Sequence, residues 1–311
     1  MGELRVAMVQ GGTDRRLDGV ADYTGHLVPA LRDVGVDVVD LASDVDIVHV
    51  QHAPFGFPDG MGESRFPAPL VTTLHEYDET LVPLSDALVV TNPSHARELR
   101  RRTGRSAWHI PLAPNVPVCD VPARRFGGTT VVFFGFVHPV KGTRYLIEAV
   151  QRLSGVRLVV VGGFESLAMP PDEAAAYRAE LEALADERVE FTGHLPVHEV
   201  SAVLHGADVA VLPFTAGVTT KSGALLTVLA HGLPTVVTDA GDPELVDGET
   251  VVVASPVRSA DAIVTALQRV LGDSALRERL SMRGKAMVAE RTWPAIARRH
   301  RELYEQVLRN G

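Results

Sequence analysis

Short runs of aliphatic and β-branched residues recur along the chain at Val6–Gln10, Val36–Leu41, Ile47–His52, Leu70–His75, Ala87–Asn92 and Trp108–Leu112. Each is too short for a stable helix and almost continuously apolar, the pattern of a strand covered on both faces of a parallel sheet. Helix-length segments such as Val20–Asp33 and Ser94–Arg102 lie between several of them. Strand and helix in alternation predict a doubly wound sheet.

The alternation stops at Ala113-Pro-Asn-Val-Pro-Val-Cys-Asp-Val-Pro, followed by Gly127-Gly128, a stretch that can continue neither a helix nor a central strand. It restarts with strands expected at Val131–Phe134, Leu158–Val161, Val189–Phe191, Val209–Leu212, Thr235–Thr238 and Val251–Ala254, and helices including Thr143–Leu153, Glu173–Asp186 and Leu225–Ala230. The expected organisation is therefore a first domain over 1–118 and a second over 129–293. The tail from Ser259 is helical in pattern, interrupted near Thr292-Trp293-Pro294, where proline suits the first turn of a new helix running from about Ala295 to Leu308. Open sheets of this kind bind ligands beyond the carboxyl ends of their strands, so two such domains facing one another would place a site in the cleft between them.

Composition narrows the partners. With 46% hydrophobic and 22% charged residues over 311 positions, a packed core is expected rather than disorder. The net charge of −9 argues against a nucleic-acid surface, which needs a clustered basic excess. Arg97, Arg100, Arg101 and Arg105 fall near one face of a helix and are expected to be a solvated face. Cys119 is the single cysteine, which excludes an internal disulfide framework and suits a reducing compartment. The amino terminus lacks the pattern of a signal peptide and no run approaches a membrane span, so the cytoplasm is the expected location.

The chemistry concentrates in the second half. Val131-Val-Phe-Phe-Gly-Phe-Val-His-Pro-Val-Lys-Gly-Thr is a strand, a loop with two glycines and a lysine, then a helix start. Such a loop offers backbone N–H groups and a point charge to a phosphate. Further on come Val189-Glu-Phe-Thr-Gly-His, then His205-Gly-Ala-Asp-Val-Ala-Val-Leu-Pro-Phe, then Thr219-Thr-Lys-Ser-Gly-Ala-Leu-Leu-Thr-Val-Leu-Ala-His-Gly-Leu-Pro-Thr-Val-Val.

In order and spacing, Thr130–Asp239 resembles the carboxyl-terminal half of the GT-B glycosyltransferases of family 4, the group 1 retaining enzymes. The resemblance implies an α/β protein of two Rossmann-like doubly wound domains facing a central cleft. It also implies that the helix over 294–311 crosses back to the first domain. By the same resemblance Gly135 and Lys141 would face the diphosphate of a nucleotide-sugar donor, Gly193 would lie beside the nucleobase, and Lys221, Ser222 and Gly223 would present donors to the phosphates. No metal or other cofactor is implied, and Asp44-Val-Asp46 just ahead of a strand is expected to be a turn cap. Two departures alter donor recognition. Phe136 stands where the family has an arginine, and Thr219 and Thr227 stand where it has a pair of glutamates that contact sugar and ribose. Lys221 is a cation within that loop placed to replace the arginine.

The first domain resembles the family more loosely. The strand ending at His75 implies a histidine near the donor sugar and acceptor, with Glu76 and Asp78 close by, and His52 at the end of its strand is a further acceptor-side candidate. The loop at Gly11-Gly12-Thr13 and Gly19 at a helix start would lie against donor phosphate and sugar. The expected activity is retaining transfer of a sugar from a nucleotide-diphosphate sugar to a small acceptor hydroxyl. A transferase or phosphorylase using a sugar phosphate such as phosphoribosyl diphosphate, and a noncatalytic sugar-nucleotide binding protein, are the alternatives.

Overall fold

The computed structural model describes residues 4–11, 14, 18–41, 44–57, 66–166 and 169–310. By internal contacts the chain forms two units, one of residues 1–113 with 291–311 and one of residues 114–290.

The first unit holds a six-stranded parallel sheet of β1 (Leu4–Gln10), β2 (Val36–Val39), β3 (Ile47–His52), β4 (Leu70–Leu74), β5 (Ala87–Val90) and β6 (Trp108–His109), in the order β2-β1-β3-β4-β5-β6. Helices α1 (Gly19–Asp33) and α2 (Pro93–Thr103) join its strands. Parallel pairing puts β3 and β4 in register as His49 with Val71 and Gln51 with Thr73. Because side chains alternate in a strand, Val6, Ile47, Val71 and Val89 face one side, where they pack with Leu27 and Leu31 of α1 and with Leu303 and Tyr304 of the last helix. Ala7, Val48, Val50 and Leu70 form the core on the opposite side.

The second unit repeats the design with β7 (Thr129–Phe134), β8 (Val156–Val161), β9 (Val189–Gly193), β10 (Val209–Leu212), β11 (Thr235–Thr238) and β12 (Val252–Ala254), ordered β12-β11-β10-β7-β8-β9. Helices α3 (Thr143–Gln151), α4 (Pro171–Leu184), α5 (Val197–Gly206), α6 (Gly223–Ala230), α7 (Ala260–Gly272) and α8 (Ser274–Val288) cover it. Val131, Val132 and Phe133 are fully buried, as an unbroken apolar run in a two-sided sheet requires. The final helix, α9 (Trp293–Asn310), carries Pro294 in its first turn and packs on α1 within the first unit.

Several expectations need adjustment. The strands expected to reach Leu41, Asn92 and Leu112 stop at Val39, Val90 and His109, in the last case ahead of Pro111. Helix α4 opens at Pro171 and ends at Leu184, two residues earlier than expected at each end. The helical tail also breaks at Asp273, whose carboxylate accepts from the Leu276 amide at 2.9 Å and so starts α8. Arg105 lies beyond α2, past Gly104 in the left-handed conformation, and donates to the carbonyls of Val82 and Ser85 at 3.0 and 2.7 Å. It ties a loop rather than completing a basic helix face. The expected first domain ended at 118, whereas the units divide between Ala113 and Pro114. Residues beyond that point bond within the second unit: the Cys119 amide donates to Ser201 Oγ at 3.0 Å and Arg124 to Glu190 at 2.8 Å. Among the described residues no helix is long and apolar enough to cross a membrane.

Candidate functional site

In the second unit the strand order reverses between β7 and β10, and the carboxyl ends of two such strands bound the crevice where open α/β sheets take their ligands. β7 runs into Gly135 at φ +130° and β8 into Gly162 at φ +145°. A side chain on Gly162 would run into the Gly135 carbonyl oxygen, so the two loops meet backbone to backbone. Gly193, at φ +66° at the end of β9, accepts from the Gly162 amide at 3.1 Å. Next to these turns Phe136 meets His194 edge to face at 6.1 Å.

Beyond Gly135 a 3₁₀ turn, Pro139–Lys141, is capped by His138, whose Nδ1 accepts from the Val140 amide at 3.2 Å. Gly142 then takes φ +68° and approaches Pro213 at the end of β10 so closely that a β-carbon would overlap the Pro213 carbonyl oxygen. This contact seats Lys141 with its Nζ 3.9 Å from the ring centroid of Phe214. Burial, and then the charge of Lys221, push the Lys141 ammonium down to about 8. The two lysines expected at the diphosphate are therefore close enough to feel one another's charge.

The loop carrying Lys221 is held from both ends. The Thr220 amide and hydroxyl both donate to Asp242 Oδ2, at 2.8 and 3.0 Å. The Ser222 amide donates to the Thr219 carbonyl at 3.0 Å, and the Ser222 side chain caps α6 by accepting from the Leu225 amide at 3.3 Å. A β-carbon on Gly223 would lie 2.9 Å from the Asn115 side-chain amide, so glycine leaves room for that contact. Thr219 is partly exposed in this loop. Thr227 is not: it is fully buried within α6, and its hydroxyl accepts from the Val116 amide at 3.4 Å. The second of the two threonines thus serves packing and a loop anchor.

In the first unit the candidates sit at the carboxyl ends of β3 and β4. The His75 amide donates to the His52 carbonyl at 2.9 Å, extending the β3–β4 ladder by one residue, and its Nε2 lies 2.9 Å from Gln51 Oε1. Tyr23 of α1 packs edge-on against the His75 ring at 4.8 Å. His52, nearly buried and stacked on Phe57, lies with Nε2 2.9 Å from Asp78 Oδ1. Burial raises the Asp78 pKa, but hydrogen bonds from Thr80 and then His52 outweigh it and the carboxyl ends below its ordinary value. Glu76 is exposed. Gly19 opens α1 behind the Asp18 cap, and no atom of the described residues lies within 4 Å of where a side chain would start. Gly11 backs onto Gly56, while Gly12 and Thr13 lie outside the described residues.

Asp44 and Asp46 are both occupied by Arg5. Its amide donates to Asp46 Oδ2 at 2.8 Å and its guanidinium pairs with the Asp44 carboxylate. Among the described residues no three His, Cys, Asp or Glu side chains are grouped to hold a metal ion. A pocket of about 530 Å³ opens at the amino ends of the first sheet, between Pro69, Asp86, Trp108, Leu303 and Val307, and none of the residues expected to carry chemistry lines it. Three residues at these sites were missed from sequence: Phe214 under Lys141, Asn115 against Gly223, and Gln51 behind His75. Of these only Gln51 carried a local signal, being a polar residue two positions from His49 in an apolar strand and so on the same face.

Solved structures of glycosyltransferases share this architecture. HepE of Anabaena in complex with UDP-glucose matches with a TM-score of 0.77 at 13% identity, over 97% of this chain and 100% of that chain. Sucrose-phosphate synthase from Thermosynechococcus elongatus matches with a TM-score of 0.76 at 18% identity over 100% of both. The fold is accordingly GT-B, built from two Rossmann-like α/β units.

Within it, residues 128–273 match the model of the family described as glycosyl transferases group 1. A glycogen synthase of Mycobacterium tuberculosis is 27% identical over 243 residues, 74% of this chain and 56% of that protein. The chain spans about half the length of the curated relatives it matches.

Proposed function

We propose that this protein is a retaining, metal-independent glycosyltransferase of the cytoplasm that takes a nucleotide-diphosphate sugar in its second unit and transfers the sugar to a hydroxyl of a small acceptor. The observation that carries the reading is Lys141, seated on Phe214 at the β7–β10 switch point within electrostatic reach of Lys221. When the bond from the anomeric carbon to the diphosphate breaks, negative charge develops on the leaving group, and preorganised cations and backbone donors stabilise it. Lys141, Lys221 and the capped start of α6 at Ser222 and Gly223 supply these; Gly135 and Gly193 let the backbone approach the donor. Thr219 takes a donor hydroxyl. In the first unit His75, Gly12 and Gly19 meet the transferred sugar, and His52, Glu76 and Asp78 face the acceptor. The new bond forms to the acceptor oxygen, whose proton leaves to the diphosphate or to His75.

Burial of Thr227 favours one alternative. Thr227 then offers no contact to a nucleoside, and a donor without one, such as phosphoribosyl diphosphate, becomes the second reading. Thermal-shift titration separates the two. UDP, GDP or UDP-glucose should raise the melting temperature of the wild type, and Lys221→Ala should weaken the affinity read from that shift about tenfold, the worth of one charge-assisted contact. A response to phosphoribosyl diphosphate alone would move the assignment to the second reading. Binding of UDP-glucose with turnover no higher than in His75→Ala would reduce the protein to a sugar-nucleotide binder.

A further inference from the structure

A row of polar side chains crosses the otherwise apolar face of the first sheet. His49 and Gln51 lie two residues apart on β3, and Thr73 of β4 lies two residues before His75, which continues the ladder past the strand's end, all on the face that packs beneath α1 and α9. His49, Gln51 and Thr73 are fully buried. His49 Nδ1 lies 2.6 Å from the Tyr304 hydroxyl of α9, and its Nε2 lies 2.8 Å from Thr73 Oγ1 and 3.2 Å from Gln51 Nε2. The Gln51 amide nitrogen also lies 3.2 Å from Met8 Sδ, and its Oε1 lies 2.9 Å from His75 Nε2. Buried polar groups inside a core are costly unless each finds its partner, so such a row calls for a reason.

The orientation of the Gln51 amide, with its oxygen toward His75, sets the donors and acceptors in this row. Burial, with His300 and His75 nearby, holds His49 neutral, so it carries a single N–H. Gln51 Nε2 can only donate, which makes His49 Nε2 the acceptor and leaves the ring proton on Nδ1, toward Tyr304. Thr73 then donates to the same Nε2. With its amide nitrogen committed to His49 and Met8, Gln51 turns its oxygen to His75, and that oxygen can only accept. These proton positions are assigned from the network.

We propose that Gln51 is a positioning residue for His75: it holds the ring proton on Nε2, so that Nδ1 carries the lone pair which accepts a hydroxyl proton or hydrogen bond, and His49 with Tyr304 fixes the orientation of Gln51 from below. The inference rests on the reading of His75 as the residue at the sugar, because only there does the choice of ring nitrogen matter. It assigns a function to three side chains of the core that touch no substrate. It also makes α9 part of the support of that histidine, through Tyr304.

The test is imidazole ¹⁵N NMR on the full chain, comparing wild type with Gln51→Met and Gln51→Glu. In the wild type His75 should show one tautomer, protonated at Nε2. Gln51→Met, which keeps the volume and removes the acceptor, should lose it to a mixture. Gln51→Glu, which restores an acceptor, should recover the Nε2-protonated form. With UDP-glucose as the donor probe, Gln51→Met should lower kcat about tenfold or more with little change in KM, as misplacing a supporting hydrogen bond does. A wild-type His75 protonated at Nδ1, or a tautomer unmoved in Gln51→Met, would overturn the proposal whatever the activity. Absence of UDP-glucose turnover in the wild type counts against the proposed function, and the NMR comparison still decides the role of Gln51. Should Gln51→Met fail to fold, Tyr304→Phe replaces it: freeing His49 to reverse its proton should release Gln51 and mix the His75 tautomers, and a single Nε2-protonated His75 there would overturn the proposal.

Discussion

Lys141 and Phe214 meet face-on, the ammonium 3.9 Å from the ring centroid, although they leave the ends of two different strands of the second sheet. The ring replaces water on one side of the charge while Lys221 repels it, and both effects favour the neutral amine. A polyanion favours the ammonium. Affinity for UDP, measured by calorimetry, should therefore be nearly flat below pH 7 and fall above pH 8 by up to about tenfold per unit as the proton must be taken up on binding. In Lys221→Ala the like charge is gone, so the fall should begin at higher pH even though the affinity below pH 7 is weaker.

Gly142 carries the close approach that seats this lysine. At φ +68°, and with a β-carbon overlapping the Pro213 carbonyl, alanine at this position meets both a strained backbone and a steric collision. Together these should cost about 3 kcal/mol in urea unfolding. Donor affinity should fall too, because relief of the collision moves Pro139–Lys141 away from Phe214. An unchanged unfolding midpoint would mean that the loop has room the present packing does not show.

The parts of this design that are local in sequence were legible there. Val131–Phe134 announces a buried strand because both of its faces are covered, and Pro294 announces the start of α9. The break at Asp273 was passed over in a long helical pattern although Gly272 followed by a capping aspartate marks it; the carboxylate turned back on the Leu276 amide divides α7 from α8. At the site, the loop around Lys141 could be marked from its glycines and lysine, but Phe214 comes from a distant strand end and no local pattern joins the two. Thr227 shows the opposite failure: a motif position suggested a ligand contact, while its place on the inner face of α6 put it beneath the surface. Gln51 stood in plain view as a polar residue in an apolar strand. Its partner His75 could be named only once strand register was known.

The core beneath α9 should make the protein sensitive to acid. His300 is fully buried, and burial lowers its pKa to about 4 against an unfolded value of about 6.5. The folded state thus resists a proton that the unfolded chain accepts, so stability is complete above pH 6.5 and declines as pH falls toward 4. At about 1.4 kcal/mol per unit, this one residue should account for about 2 kcal/mol of lost stability at pH 5. His49, shifted in the same direction, adds to it. Denaturant midpoints at pH 7 and pH 5 should differ less in His300→Leu than in the wild type. An equal difference in both would assign the acid sensitivity to other groups.

Gly19 allows stability and binding to be separated at a single position. It is the first residue of α1, its φ lies outside the left-handed region, and among the described residues nothing stands within 4 Å of where a β-carbon would go, so none of them requires glycine there. Alanine restricts the unfolded chain and suits the helix, and Gly19→Ala should therefore raise stability by about 0.5 kcal/mol. The reason that the proposed function supplies for glycine here is close approach of the donor's phosphate and sugar. Gly19→Ala should then melt slightly higher than the wild type while its KM for UDP-glucose rises severalfold. If the variant gains stability and keeps its KM, the open space beside Gly19 faces solvent and the glycine plays no part in donor binding.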